Sequence, residues 1–496
     1  MAPSKRDLLT GLSLGKRVAE EEVDDLASYF VETEHWRKVL ADEVDIIFGP
    51  KGAGKSAIYS TLLQRDAEMF DRGVFLISAE NPRGTPAFKD LVAEPPTVEL
   101  EFVTLWKLYI LSLVGSVLVE WDVPGHAAKQ VRTKLAAENL LASKGATLSS
   151  RVRAVRDFMR RFLKPSTVEG SVTVNPHNGA PIFAGKITLG EPDASQRADG
   201  ILSIDSLLRL ADEALSKTDY ELWLLFDRLD VAFADSPELE SNGLRALFKC
   251  YLDMLSLSKI KLKIFLRNDI WSKITSGGFR EASHITRGLE ILWTSSALLN
   301  LVANRLGRNS EITSYCHLKP GPLDAAEQRK FFDYIVPKQI DVGRNPATFE
   351  WIISRVQDGT RTAAPREVIH LLTEARDAQL KMLERKEAEP PGTELISRQA
   401  FRDALPSVSK VRLEQTMYAE YPELQDKIMQ LDREKTEQTM ATLARIWKVE
   451  AAEARDYAKR LVEAGFFEER GVKSNPSYWV PFLYRPALRM VQGLAI

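Results

Sequence analysis

The feature that most constrains this chain is a glycine-rich turn between an apolar strand and a helix. Val44-Asp45-Ile46-Ile47-Phe48 reads as a short strand, and Gly49-Pro50-Lys51-Gly52-Ala53-Gly54-Lys55-Ser56 follows it directly. A helix is predicted from Lys55 to about Arg65. The pattern G-x-x-x-x-G-K-S in that context predicts a loop that cradles phosphate. Glycines let successive backbone N–H groups turn inward with no Cβ in the way. Lys55 supplies a point charge to the β- and γ-phosphates, Ser56 a ligand for Mg²⁺, and the helix start its positive dipole end. ATP with Mg²⁺ is the expected ligand, held by Gly49, Pro50, Lys51, Gly52, Ala53, Gly54, Lys55 and Ser56.

Further strands are predicted at Val74–Ser78, Leu222–Phe226 and Leu262–Leu266, and a fifth at Ser314–Leu318. Strands alternating with helices imply a parallel sheet covered on both faces. The fold class expected is therefore α/β, a P-loop NTPase with a five-stranded parallel sheet. The interval between Lys55 and Asp227 is long for such a core. Residues at about 100–200 are taken as an insertion of helices plus a β-hairpin at 169–190, whose turn is Asn175-Pro176-His177-Asn178-Gly179. The core then spans 1–322 and a helical lid 323–383. Glu384 to Thr393, charged and then Pro390-Pro391-Gly392, reads as a linker. Residues 394–496 form a mainly helical C-terminal domain. Its order of helix (439–447), helix (450–464) and two short β-segments around Gly471–Pro476 suggests a winged helix.

Asp227 closes the apolar run Leu222–Phe226, the form in which an acid at a strand tip holds the Mg²⁺ shell. Arg228 stands where many ATPases place a second acid, so Asp230 becomes the candidate to orient the attacking water. Arg267 or Asn268, at the end of the Leu262–Leu266 strand, could sense the γ-phosphate. Arg366 follows Pro365 at a helix start, where a cation opposes the helix dipole. That placement suggests a second sensor reaching from the lid. Expected catalytic residues are thus Asp230, Asp227, Arg267 and Arg366, with Ser56 and Asp227 on the metal.

These motifs resemble a family of bacterial P-loop ATPases near the AAA+, KAP and STAND groups. The resemblance is carried by Tyr29-Phe30-Val31-Glu32-Thr33, Phe48 to Ala57, Phe226-Asp227-Arg228-Leu229-Asp230, Phe265 to Asp269 and Pro365-Arg366, across about residues 19–380. It implies a core of strand order 5-1-4-3-2, a helical lid and a winged helix after it. It also implies a switch in stress or antiviral defence. Arg228 departs from the AAA+ pattern and puts fast turnover in doubt. Arg280, Arg287 and Arg305 are positional candidates for an arginine finger.

Composition narrows the partners. A net charge of −2 excludes a globally basic nucleic-acid binder. Between Glu450 and Ala464, the acids Glu450, Glu453, Asp456 and Glu463 meet the bases Arg455, Lys459 and Arg460, which favours a protein contact over a DNA groove. The most basic run, Arg151 to Lys164, leaves nucleic acid or an acidic partner open. Cys250 and Cys316 are too few for a disulfide framework, and a reducing cytoplasm fits. The best apolar run, Leu108–Val119, is too short for a membrane span. The function expected is an ATP-driven switch that self-assembles or controls a partner protein. The alternative is a DNA-associated ATPase of initiator or transposition-helper type.

Overall fold

The computed structural model describes residues 3–16, 30–81, 88, 99–141, 146–163, 173–174, 181–182, 187–188, 192–195, 200–229, 236–318, 321–472 and 475–495. The chain divides into two compact units. One comprises residues 34–49 and 55–290, the other residues 1–33, 50–54 and 291–496.

The first is an α/β unit. Its elements are β1 (Ile46–Gly49), α1 (Lys55–Gln64), β2 (Val74–Ser78), α2 (Glu99–Glu120), α3 (His126–Ala137), α4 (Leu148–Leu163), α5 (Ile204–Leu215), β3 (Glu221–Phe226), α6 (Pro237–Met254), β4 (Ile260–Arg267), α7 (Asn268–Ser276) and β5 (Gly288–Glu290). Five strands among the described residues pair in the order β2-β3-β4-β1-β5, all parallel. This is the order 5-1-4-3-2 that the resemblance implies, with β4 inserted between the strand that feeds the glycine loop and the strand that ends in Asp227. Leu222 to Phe226 are buried without alternation, as a central strand covered on both faces requires.

The fifth strand is not at Ser314–Leu318. Residues 310–315 are helical, and β5 is the three-residue Gly288–Glu290, beside Ile46–Phe48. It carries no apolar run, so periodicity could not find it. A side chain at Gly288 would place its Cβ 3.0 Å from the Phe48 ring.

The apolar stretch Leu108–Val119 lies within a longer helix. Helix α2 has 22 residues, and an 18-residue window of it has a mean hydropathy of 1.9, long and apolar enough to cross a membrane. It is nonetheless a core helix here, packed on α4, α5 and α6 with 83% of its apolar window buried. Its polar groups are satisfied inside the protein: the Trp106 indole donates to the Gly243 carbonyl and the Tyr109 hydroxyl to that of Ala79, each at 2.8 Å. Of the hairpin expected at 169–190, Thr173-Val174 pair antiparallel with Pro181-Ile182, whereas Ile187-Thr188 pair with Leu202-Ser203 instead. The rest of that segment lies outside the described residues, as do residues 17–29.

At the N-terminal edge of the sheet sits a buried charge network. Lys263 of β4 is fully buried. Its ammonium donates to Asp42 (2.6 Å), Asp45 (2.8 Å) and the Val44 carbonyl (2.7 Å), and stands 4.3 Å over the Trp223 ring. Arg287, just before β5, binds the same Asp45 at 2.6 Å, and Tyr251 of α6 donates to it at 3.0 Å. β1, β4 and β5 are thereby pinned at their starts.

The second unit is mainly helical: α8 (Ser295–Gly307), α9 (Ala325–Ile335), α10 (Thr348–Val356), α11 (Pro365–Glu384) and α12 (Arg398–Arg412) lead to β6 (Lys435–Thr439), α13 (Met440–Trp447), α14 (Ala451–Glu463), β7 (Glu468–Val472), β8 (Asn475–Trp479) and β9 (Val491–Leu494). The last strands form a sheet of order β7-β8-β6-β9. Residues on both sides of Glu384–Thr393 share one hydrophobic cluster. That stretch is tied down by Lys5, which donates to the carbonyls of Pro390 and Gly392.

Replacing Lys263 by Met should leave two carboxylates facing a buried apolar chain. Loss of one partner from a buried pair costs about 3–5 kcal/mol. Denaturant unfolding, with hydrogen exchange read in β1 and β4, should show that loss. A change below about 0.5 kcal/mol would mean the network does not hold the strands.

Candidate nucleotide site

Parallel pairing brings the functional strand ends to one edge of the α/β unit. Gly49 lies opposite Arg267, and Phe226 opposite Ile264. The edge therefore presents the start of the glycine loop, Asp227 and Arg267. Helix α1 is held on the sheet by Ile58, Tyr59 and Leu62. The Tyr59 ring meets Phe265 edge-on at 5.7 Å, and its hydroxyl lies 2.6 Å from Ser78 Oγ. Lys55 is 9% exposed, and its ammonium donates to the Gly49 carbonyl at 2.8 Å, across the mouth of its own loop. Ser56 is half-buried.

Asp227 follows β3 and is buried. Burial pushes the Tyr59 phenol well above its ordinary range; the Ser78 hydrogen bond opposes this, and the charges of Asp227 and Glu80 reinforce it. Arg228 takes a left-handed conformation, φ 58°, and donates to the Asn81 carbonyl at 3.0 Å. Its side chain thus belongs to the turn after β2. Asp230 lies outside the described residues. Arg267 forms a two-pronged pair with Asp269 at 3.0 and 2.6 Å. Burial works against the Asp269 carboxylate, but this guanidinium holds it below its usual range. The Asn268 side-chain amide donates to Glu290.

The candidate arginine fingers are differently placed. Arg287 is engaged with Asp42 and Asp45 at the opposite edge of the sheet. Arg305 is buried and donates to the Leu14 carbonyl. Arg280 is exposed.

The tip of the loop, Pro50–Gly54, groups with the helical unit. Gly52 and Gly54 have φ of 81° and 100°, backbone that side chains with a Cβ rarely adopt. The Ala53 carbonyl accepts the Trp293 indole N–H at 2.7 Å. Arg366, in the first turn of α11 after Pro365, covers Gly52: a Cβ there would stand 3.0 Å from Arg366 Cβ and 3.4 Å from its Nε. A cavity of about 120 Å³ adjoins, lined by Lys51, Arg366, His370, Arg412, Gln415 and Thr416. Next to Arg366, Glu367 accepts from Arg412 at 2.8 Å. Burial opposes the Arg412 charge, yet Glu367, Tyr484 and Asp358 keep it firmly protonated.

Sequence reasoning missed Trp293, the Glu367–Arg412 pair and the partner of Lys51, which is Glu420 at 2.6 Å. Trp293, Arg412 and Glu420 each lie far along the chain from the residue they meet, and no local pattern marks them.

The glycine loop with positive φ, the lysine folded over it, and a serine and a buried acid on the same strand-end edge fit a nucleoside triphosphate with Mg²⁺. No family model matches the chain, and no curated protein matches it in sequence. Among the solved structures that resemble it weakly are two from Aeropyrum pernix. The Aeropyrum pernix ORC1 protein in complex with DNA aligns over 98% of this chain and 97% of its own, at 12% identity and a TM-score of 0.34. The Aeropyrum pernix ORC2 protein, in ADPNP–ADP complexes, aligns over 96% and 94%, at 13% identity and 0.37. Likenesses of that size carry no argument. The fold assignment rests on strand order, register and the glycine loop.

Gly52→Ala should combine a strained backbone with a collision against Arg366. Strain of about 1–3 kcal/mol, expressed in binding, corresponds to roughly a 5- to 150-fold loss of Mg²⁺-ATP affinity. Titration calorimetry measures it, with the melting temperature as control. Wild-type affinity would show that the loop tip is not packed as described.

Proposed function

We propose that this chain is an ATP-binding and slowly hydrolysing P-loop NTPase of AAA+-like type, acting as a nucleotide-dependent switch. One observation carries the reading: the glycine loop joins β1 to α1 while Asp227 ends β3, with β4 between the two strands. Backbone N–H groups of Gly49 to Ser56 would hold the phosphates, and Lys55 would exchange its Gly49 carbonyl for a phosphate oxygen. Ser56 and Asp227 would hold Mg²⁺, which when bound neutralises charge on the β- and γ-phosphates. Asp230 is the proposed water-orienting acid. Arg366 over Gly52 is the proposed second sensor; Arg267 would have to leave Asp269 to act as the first. With Arg228 turned to Asn81, no acid stands immediately after Asp227, which favours slow turnover and long-lived ATP states.

The output is assigned to the C-terminal module. Helix, strand, two helices and a β-ribbon succeed one another there in winged-helix order. On α14, Lys459 pairs with Glu463 at 3.7 Å, and Arg460 with Glu423 at 2.5 Å. Arg455 is left on the exposed face beside Glu453 and Asp456. A face so balanced suits self-assembly or a partner protein. The order of elements favours a second reading, a DNA-associated ATPase. The antiviral setting suggested by the resemblance finds no support in these residues. A cytoplasmic setting is part of the proposal; Cys250 and Cys316 are both free thiols.

Lys55→Ala should abolish Mg²⁺-ATP binding without changing the melting temperature, and Asp227→Asn should remove only the Mg²⁺-dependent part. Unchanged ATP affinity in Lys55→Ala would sink the nucleotide reading.

The two outputs are separated by light scattering with ATP, ADP or neither, beside a duplex DNA titration at two salt concentrations. Nucleotide-dependent assembly with weak, steeply salt-sensitive DNA binding is expected. Tight, salt-tolerant, sequence-selective DNA binding would replace the first reading by the second.

A further inference from the structure

Lys51 lies inside the glycine loop but is not one of the residues that define its pattern. Its ammonium is engaged away from the loop, 2.6 Å from Glu420 Oε1 and 3.4 Å from the Gln415 carbonyl. The Glu420 side chain is 12% exposed and that of Lys51 32%. This pair is sheltered from the solvent that makes open surface pairs nearly worthless.

Both acceptors belong to one irregular segment. Helix α12 widens into a π-turn over Leu413–Met417, a short turn follows at Tyr418–Glu420, and Pro422 then breaks the helix. π-turns interrupt the regular ladder and occur frequently at functional sites. The segment is anchored at both ends. Before it, Arg412 is held by Glu367, the residue beside Arg366. After it, Glu423 accepts from Arg460 of α14 at 2.5 Å, and the Lys427 carbonyl accepts the Trp447 indole of α13 at 2.9 Å. Two ion pairs, Lys51–Glu420 and Arg460–Glu423, thus join the phosphate loop to α14, with only Tyr421 and Pro422 between the two glutamates.

We propose that residues 413–424 form a nucleotide-responsive hinge, in which Glu420 competes with a bound triphosphate for the Lys51 ammonium. The inference rests on the nucleotide reading above and adds a route from loop to output. Glu420 holds the loop to the hinge through Lys51. Phosphate oxygens at the loop draw Lys51 away, Glu420 is released, and Glu423 shifts its hold on α14. A ligand moves such an equilibrium only by binding its two states differently, and the competition for one cation supplies that difference. The coupling is reciprocal: whatever engages α14 and moves the hinge changes nucleotide affinity by the same factor.

The test uses the full chain and Mg²⁺-ATP, with binding affinity and hydrogen exchange as readouts. In the wild type, nucleotide should speed exchange at 413–424 and alter it in α14. Glu420→Gln should bind Mg²⁺-ATP about threefold to tenfold tighter, with 413–424 already fast and no longer responsive. Glu423→Gln cuts the link to Arg460 but spares Lys51. It should keep near-wild-type affinity while exchange in α14 stops following nucleotide. Wild-type affinity and a wild-type exchange response in Glu420→Gln would overturn the hinge and leave the nucleotide reading intact. A wild-type chain that binds no ATP would overturn both.

Discussion

Everything at the candidate site depends on β4 lying between β1 and β3. Parallel strands align their carboxyl ends, so one set of backbone hydrogen bonds fixes where Gly49, Asp227 and Arg267 stand relative to one another. A slip of one residue would turn each strand's side chains to the opposite face. The insertion of Lys263 between Asp42 and Asp45 resists that slip from the far edge of the sheet. A charge buried for no catalytic purpose there keeps the chemistry aligned at the other edge. The cost of desolvating an ammonium is met by two carboxylates and a carbonyl, and register is the return.

The sheet was legible because its central strands are unbroken apolar runs. β3 and β4 could be read almost to the residue, and the glycine loop with its flanking strand and helix announced itself. β5 was not legible: three residues, mostly exposed, take their place through pairing with β1 and through room beneath Phe48. β6 escaped for a different reason. Its inward residues are Thr436 and Gln438, so the alternation is real but written in polar residues, and a search for apolar period two passes over it. The apolar run Leu108–Val119 is shorter than the helix that carries it because Glu99, Glu101 and Lys107 interrupt the first half of α2. Lys107 is largely buried but satisfied by Asp205 and Asp253.

At the site, sequence pattern named residues but not their company. In sequence Arg228 stands where an acid is usual; that it closes the turn after β2 depends on a left-handed backbone no propensity reveals. Arg267 stands at its strand end, yet its fork onto Asp269 two residues on makes it a bound group. Arg366 opposes a helix dipole, and it packs over Gly52. Glu420 lies hundreds of residues from Lys51, in a stretch with no motif at all. Long-range pairs of this kind are decided by how helices stack, and local sequence is silent about them.

The buried helix α2 has a consequence for how the chain is made. Its 22 residues are apolar enough to be mistaken for a membrane anchor, and what shields them is assembled late. Helix α6, its principal neighbour, begins only at Pro237, and β4 follows at Ile260. During synthesis α2 therefore leaves the ribosome well before the surfaces that cover it exist. For that interval it is a greasy rod in water, open to chaperones, to aggregation and to membrane-targeting machinery alike. The same residues that make a dry core in the finished protein are an aggregation hazard until α6 has been made.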